Sequence, residues 1–213
     1  MKQNEKFVIT LNRELGSGGR SVGRKLAERL NVKYYDKAVI EGLTKKFGVS
    51  AESVERIKAE KISWWNNIEQ FFTDNQYSDF VDSDNLMTTN NVIKVEREIL
   101  LNLAEEGSCV VAGRSGFLIF KNTPNHLSIF IQAPMERRIE RVMRKQGLSR
   151  EEAIAAIEKV DKGRETFIQK YADTSRYDAR NYDLVINMDG LSEDDAVEVI
   201  MKYIEFTSPK PTE

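Results

Sequence analysis

Apolar residues recur along this chain in two rhythms, and their alternation sets the architecture. Short runs rich in β-branched and aromatic residues, "KFVITLN", "VKYYD", "SCVVAG", "HLSIFIQA" and "YDLVINM", read as strands. Between them lie stretches of helical period. In "GRSVGRKLAERLN", Val22, Leu26 and Leu30 fall on one side, while Arg24, Lys25, Glu28 and Arg29 point mostly outward. "KAVIEGLTKKFG" is a second helix, and "SAESVERIKAEK" a third with Ser50 as its cap candidate. "VIKVEREILLNLAEEG" is a helix ending at Gly107.

Further along, "PMERRIERVMRKQG" opens with proline at the first helical turn, where a missing N–H costs little, and closes at Gly147, a natural C-cap. "SREEAIAAIEKVDKGRETFIQKYAD" starts with a capping box from Ser149 to Glu152, and "SEDDAVEVIMKYIEF" is a capped terminal helix. Five short strands alternating with helices predict an α/β three-layer fold, a parallel sheet between helices. The chain reads as a single domain, residues 1–213, with a helical or irregular insertion at about 50–91. The least regular part, Ile62 to Asn91, mixes aromatics with Asn, Asp, Ser and Thr.

Composition narrows the chemistry. A net charge of -2 argues against a footprint for a nucleic-acid polymer, yet a locally basic pocket for a small anion remains compatible with it. Cys109 is the one cysteine and His126 the one histidine, so neither an internal disulfide nor a histidine-dependent triad is expected. No apolar run approaches the ~18–20 residues that span a bilayer. "MKQNEKFVITL" lacks a signal-peptide pattern, so a cytoplasmic protein without a membrane partner is expected.

The candidate chemistry begins at "GSGGRSVG", Gly16 to Gly23, between the first strand and the first helix. A phosphate loop works because successive backbone N–H groups point into one concavity at the positive end of a helix. The dinucleotide spacing G-x-G-x-x-G fails here, and so does the nucleotide-loop pattern G-x-x-x-x-G-K-[ST]. If Gly18 is the second glycine of that pattern, Arg13 replaces the first and Gly19 replaces the lysine. Arg13 and Arg20 flank the turn and Arg24 follows one helical turn later, so one of them could supply the missing cation. The plainer alternative is a glycine turn that starts a helix, with solvated arginines around it.

Arg13, Asp36 and Arg114 each follow a strand, and ligands of open α/β sheets bind beyond the carboxyl ends of strands. Arg137, Arg141 and Arg144 share a helical face near Arg138, to be read either as phosphate contacts or as a solvated face paired with Glu136 and Glu140. Trp64, Trp65, Phe71 and Phe72 could stack a base, serve a dimer or hinge contact, or pack the insertion.

"ITLNRELGSGGRSVGRKLAERLNVKYYDKAVI" resembles the opening of the cytidylate kinase-like family, relatives of bacterial cytidylate kinase among the nucleoside monophosphate kinases. "VVAGRSGFLIF", "IQAPMERRIERVMRKQGLSREEA", "VDKGRETF" and "NYDLVINMDGLSEDDAVEVI" extend the resemblance in order along the chain. The resemblance implies a P-loop kinase fold with a five-stranded parallel sheet, an acceptor-binding insertion and a LID at about 144–180. It implies transfer of the γ-phosphoryl group of ATP, with Mg²⁺, to a nucleoside monophosphate, CMP or dCMP first.

Carried over residue by residue, Gly16, Ser17, Gly18, Gly19, Arg20 and Ser21 would form the phosphate loop, with Ser21 also helping to hold the metal. Asp36 and Arg114 would meet the acceptor. Arg138 and Arg141 would lead into the LID, and Arg164, with Asp161 beside it, would be the LID arginine. With Arg13 and Arg20, these three arginines are the expected catalytic cations.

Two departures stand out. Classical members carry lysine where Gly19 stands and aspartate where Ser115 stands. A kinase for another small acceptor, or a nucleotide-binding protein without turnover, therefore stays beside the leading reading. The oligomeric state is open, a homodimer included.

Overall fold

A computed structural model describes residues 1, 5–48, 90–113 and 115–208. Five strands form one parallel sheet: β1 Val8–Arg13, β2 Lys33–Tyr35, β3 Cys109–Ala112, β4 His126–Gln132 and β5 Leu184–Asn187. Their order across the sheet is β2-β3-β1-β4-β5, so β1 lies at the centre with β3 and β4 as its neighbours. Leu11 stands opposite Ala112 on one side, and Arg13 opposite Ile131 on the other. The carboxyl ends of the three middle strands therefore finish nearly level.

Helix α1, Gly19–Leu30, buries Val22, Leu26 and Ala27 against the sheet and exposes Arg24, Glu28 and Arg29, the division its period predicts. The last helix, α7 at Glu193–Thr207, turns Ala196, Val197, Ile200 and Ile204 to the same side. Both pack on Ile9, Leu11, Val110, Ile129 and Ile131. Burying each such aliphatic side chain is worth roughly 1.5–3 kcal/mol, so this layer is a main source of stability. On the opposite face, α4 (Gly116–Ile119) brings Gly116 against Thr10, and Tyr182 stacks on Phe130 with ring centroids 5.1 Å apart. Helical structure on both faces of a parallel sheet is the predicted three-layer α/β arrangement.

Helices α5 (Met135–Gln146) and α6 (Arg150–Ala172) pack on each other through Ile139, Val142, Ala153 and Ile157. Gly147 ends α5 in the left-handed conformation, at φ 67°. Pro134 takes the N-cap place, one residue before the helix, rather than its first turn. The box at Ser149–Glu152 closes in both directions, and a second one links Ser192 and Asp195 at the head of α7.

The chain gathers into two compact units, Met1–Asp36 with Ala104–Glu213, and Lys37–Leu103. The second holds α2 (Lys37–Phe47) and most of α3 (Asn90–Glu106), where Ile40, Leu43, Val95 and Ile99 are buried. The helix expected at Ser50, the aromatic residues Trp64, Trp65, Phe71 and Phe72, and nearly all of the 50–91 insertion lie outside the described residues, as does Arg114. Among the described residues, no helix is long and apolar enough to cross a membrane.

Candidate phosphate-binding site

The chain leaves β1 at Arg13 and enters α1 at Gly19 through five residues. Gly16 and Gly18 hold φ values of 82° and 91°, a backbone region that glycine occupies without cost. Gly18 is the N-cap of α1, and no side chain caps the helix; no acidic residue stands in its first turn. Gly18 thus adds no side-chain cap to the first amides of this 12-residue helix, where its partial positive charge gathers. Ser17 does not serve as that cap, because its hydroxyl donates back to the Glu14 carbonyl at 3.0 Å.

Arginines ring this turn, and the structure gives them different tasks. The Arg13 side chain crosses directly over Gly19 and ends against Gly113, at the close of β3. Arg20 reaches the buried carboxylate of Asp36 at 3.2 Å, with Arg24 on the same oxygen at 3.8 Å. Tyr34 supports Arg20 from below by donating to its carbonyl at 3.4 Å. Burial pushes the Tyr34 phenol up to about 12, so it stays a neutral donor at physiological pH. Read strictly from Gly18, the hydroxyl of the nucleotide-loop pattern falls at Arg20, and Ser21 stands one residue further on. The Ser21 oxygen accepts from Arg141 at 3.1 Å.

The α5 arginines separate by face. Arg141 also donates to Glu193 at 2.6 Å, and its guanidinium carbon lies 3.5 Å from the place a side chain on Gly18 would take. With Arg137 and Arg144 it lines a cavity of about 280 Å³ that opens beside Gly16 and Ser17 and is closed across by Met188, Leu191 and Ser192. Arg138, one position round the helix, points the other way and is 7% exposed. It donates to the Leu15 carbonyl at 2.8 Å and pairs with Glu14 at 3.2 Å and with Asp161.

Asp161 is a hub. One of its oxygens accepts from the Leu15 backbone amide at 3.1 Å, from Arg164 at 3.3 Å and from Arg176 at 3.2 Å. Arg164 and Arg176 both reach on to the Arg13 carbonyl. So Arg138 and Arg164, expected among the catalytic cations, hold carbonyls of the loop's backbone, while the side chains of Arg141, Arg20 and Arg13 extend to Gly18 and Ser21, to Asp36, and over Gly19 to Gly113.

Arg176 was not singled out by sequence. It is fully buried, lies over the Phe130 and Tyr177 rings, and keeps its Nε without a hydrogen-bond partner. Its carbonyl accepts from Tyr182, whose oxygen in turn accepts from Asn12 at the end of β1. The sequence signal was thin: an arginine just after a long helix, with no periodic pattern around it. Ser115 holds φ 55°, an uncommon conformation for a side-chain-bearing residue, at the N-cap of α4.

Among the described residues no three His, Cys, Asp or Glu side chains gather as a metal site. His126 sits at the opposite end of the sheet, at the start of β4, bonded to Thr10. Among the described residues, the arrangement suits a polyanion held by amides and guanidinium groups.

The chain is similar to cytidylate kinase of Pyrococcus horikoshii, 25% identical over 210 residues, covering 96% of this chain and 92% of the relative. Cytidylate kinase of Methanopyrus kandleri is 24% identical over 207 residues, covering 93% of each. Among solved structures, an uncharacterized protein from Eubacterium ventriosum superposes with a TM-score of 0.69 at 25% identity, over 93% of this chain and 98% of that one. Shikimate kinase of Bacteroides thetaiotaomicron reaches 0.51 at 16% identity with the same coverage, a likeness of fold. Residues 8–190 match the model of the cytidylate kinase-like family, and the chain belongs to that family.

Proposed function

We propose that the protein transfers the γ-phosphoryl group of ATP to a nucleoside monophosphate, with CMP or dCMP as the preferred acceptor. The observation that carries this reading is the uncapped start of α1. Around it stand the glycine turn and the side chains of Arg13, over Gly19, Arg20, paired with Asp36, and Arg141, which also lines the cavity beside Gly16 and Ser17. The names of the Pyrococcus and Methanopyrus relatives support the choice of acceptor.

The reaction breaks the bond between the γ-phosphorus and its bridging oxygen, releasing ADP, and forms one to a phosphate oxygen of the acceptor. That oxygen is already ionised near neutral pH, since the second phosphate pKa is about 6. No general base is then required, which suits a site remote from the single histidine. What the step needs is alignment and positive charge around the dispersing phosphoryl group. The loop amides would cradle the polyphosphate, with Arg13, Arg20 and Arg141 as its cations. Arg138, Arg164 and Arg176 act as positioning residues through the carbonyls of Arg13 and Leu15.

Magnesium usually keeps several waters and rides on substrate phosphates rather than in an all-protein cage. In that mode the Ser21 hydroxyl, whose oxygen here accepts from Arg141, would be the protein ligand offered. The ion would supply charge neutralisation across the β- and γ-phosphates. Asp36 and Arg114 are proposed on the acceptor side.

The test is ADP release measured with CMP, dCMP, UMP, AMP, GMP and hydroxyl acceptors. Turnover highest with CMP or dCMP is expected. Product only from a hydroxyl acceptor would replace the monophosphate reading. ATP binding with no product from any acceptor would make the protein a binder without turnover.

A further inference from the structure

We infer that Arg13 and Gly19 are a reciprocal exchange: the cation that a nucleotide loop carries at the first residue of its helix has been moved to the end of β1. The inference rests on the phosphoryl-transfer reading and adds to it the residue that replaces the lysine. In the pattern G-x-x-x-x-G-K, the first and seventh positions are glycine and lysine; here they are Arg13 and Gly19. A Cβ built on Gly19 would stand 2.6 Å from the Arg13 Cβ and 3.0 Å from its Cγ. The two positions thus share one slot, and only one of them can bear a side chain.

The far end of the Arg13 side chain is shaped by a second glycine. Gly113 closes β3 with φ 81°, and its amide is held by the Leu11 carbonyl at 2.8 Å, so it is fixed beside the end of β1. A Cβ there would lie 2.0 Å from Nη1 of Arg13 and 3.1 Å from the guanidinium carbon. The guanidinium therefore lies against Gly113 with Nη1 nearest, at the carboxyl edge of two neighbouring strands, where open α/β sheets receive ligands. The backbone that launches it is pinned as well, since Arg164 and Arg176 both donate to the Arg13 carbonyl. Arginine suits the longer reach from the strand: its charge is permanent, and its planar fork meets two phosphate oxygens at once.

The exchange predicts non-additive variants, read as affinity for ATP with Mg²⁺ by calorimetry alongside product formation. Arg13→Gly should weaken ATP binding by about ten- to a hundredfold, the worth of a hydrogen bond to a charged group. Arg13→Gln, which keeps most of the stem, should weaken it similarly while holding the melting temperature. Gly19→Lys alone should weaken binding and lower the melting temperature through the steric conflict. Together, Arg13→Gly and Gly19→Lys should return affinity to near the parent value; the remaining neighbour, the Ile131 Cβ at 3.2 Å, needs to give by only a few tenths of an ångström. Gly113→Ala carries the backbone cost of its φ of 81° in both backgrounds, and should weaken binding further in the parent than in the exchanged chain.

Parent-like affinity in Arg13→Gln, a double variant no better than Arg13→Gly, or equal weakening by Gly113→Ala in both backgrounds would each overturn the exchange. If the parent turns over and Arg13→Gln binds normally, the exchange alone fails. If the double variant rescues ATP binding but no acceptor yields product, the kinase reading alone fails.

Discussion

At the residue scale, the sequence revealed identities better than orientations. Gly16 to Ser21, Asp36 and Arg141 could be named as candidates because motif and strand-end position are one-dimensional features. That Arg138 turns its back on the loop while Arg141 faces it could not be read from spacing: helical period says which residues share a face, not what that face meets. Arg176 was invisible for a related reason, because its partners Asp161, Arg13 and Phe130 are distant in sequence. His126, at the start of β4, has a consequence for stability. Burial lowers its pKa from 6.5 to about 4, against the weaker pull of Asp183. A depressed imidazole pKa means that protons bind the unfolded chain more readily, so stability falls as pH drops through 6.5 toward 4. The expected loss between pH 7 and pH 5 is about 2 kcal/mol. Urea denaturation at both values should show it in the parent and a smaller loss in His126→Gln; equal losses would sink the assignment.

At the scale of elements, capping and termination were legible and insertion was not. Ser149 with Glu152, Gly147 and the apolar stripe of α1 act locally, so the chain declares them within a few residues. The order of strands is different: β1 enters the sheet between β3 and β4, a non-local choice that alternating strands and helices leave open. The head of α7 tests the local logic. Ser192 accepts from the Asp195 amide at 3.1 Å, and Asp195 in turn takes the Ser192 amide at 2.9 Å. Ser192→Ala should cost about 1 kcal/mol by chemical denaturation, with Ser192→Asp close to neutral. Since Ser192 also lines the cavity beside the loop, ATP affinity measured on the same variants separates a cap from a ligand contact.

At the scale of the whole molecule, the parallel sheet was legible from period, and the family from the resemblance of motifs in order along the chain. The distribution of charge was not. A chain of net charge -2 concentrates arginines at one turn and neutralises them there with Asp36, Asp161, Glu14 and Glu193. An incoming polyphosphate would therefore exchange one set of anions for another. Its affinity should fall less with ionic strength than for an equal number of unpaired surface cations. Titrations of ATP between low and physiological salt check this; a steep dependence, scaling with the number of arginines at the turn, would show that the internal pairs count for little.

The shared slot of Arg13 and Gly19 also bears on how such a chain can have arisen. From a loop with glycine at the strand end and lysine on the helix, replacing the glycine first crowds two long side chains into one space, while losing the lysine first leaves the polyphosphate without its cation. Each single step is thus a poor binder lying between two good ones. Passage between the two loop types demands paired substitutions or a lineage briefly released from selection, which would keep the arrangements apart once established.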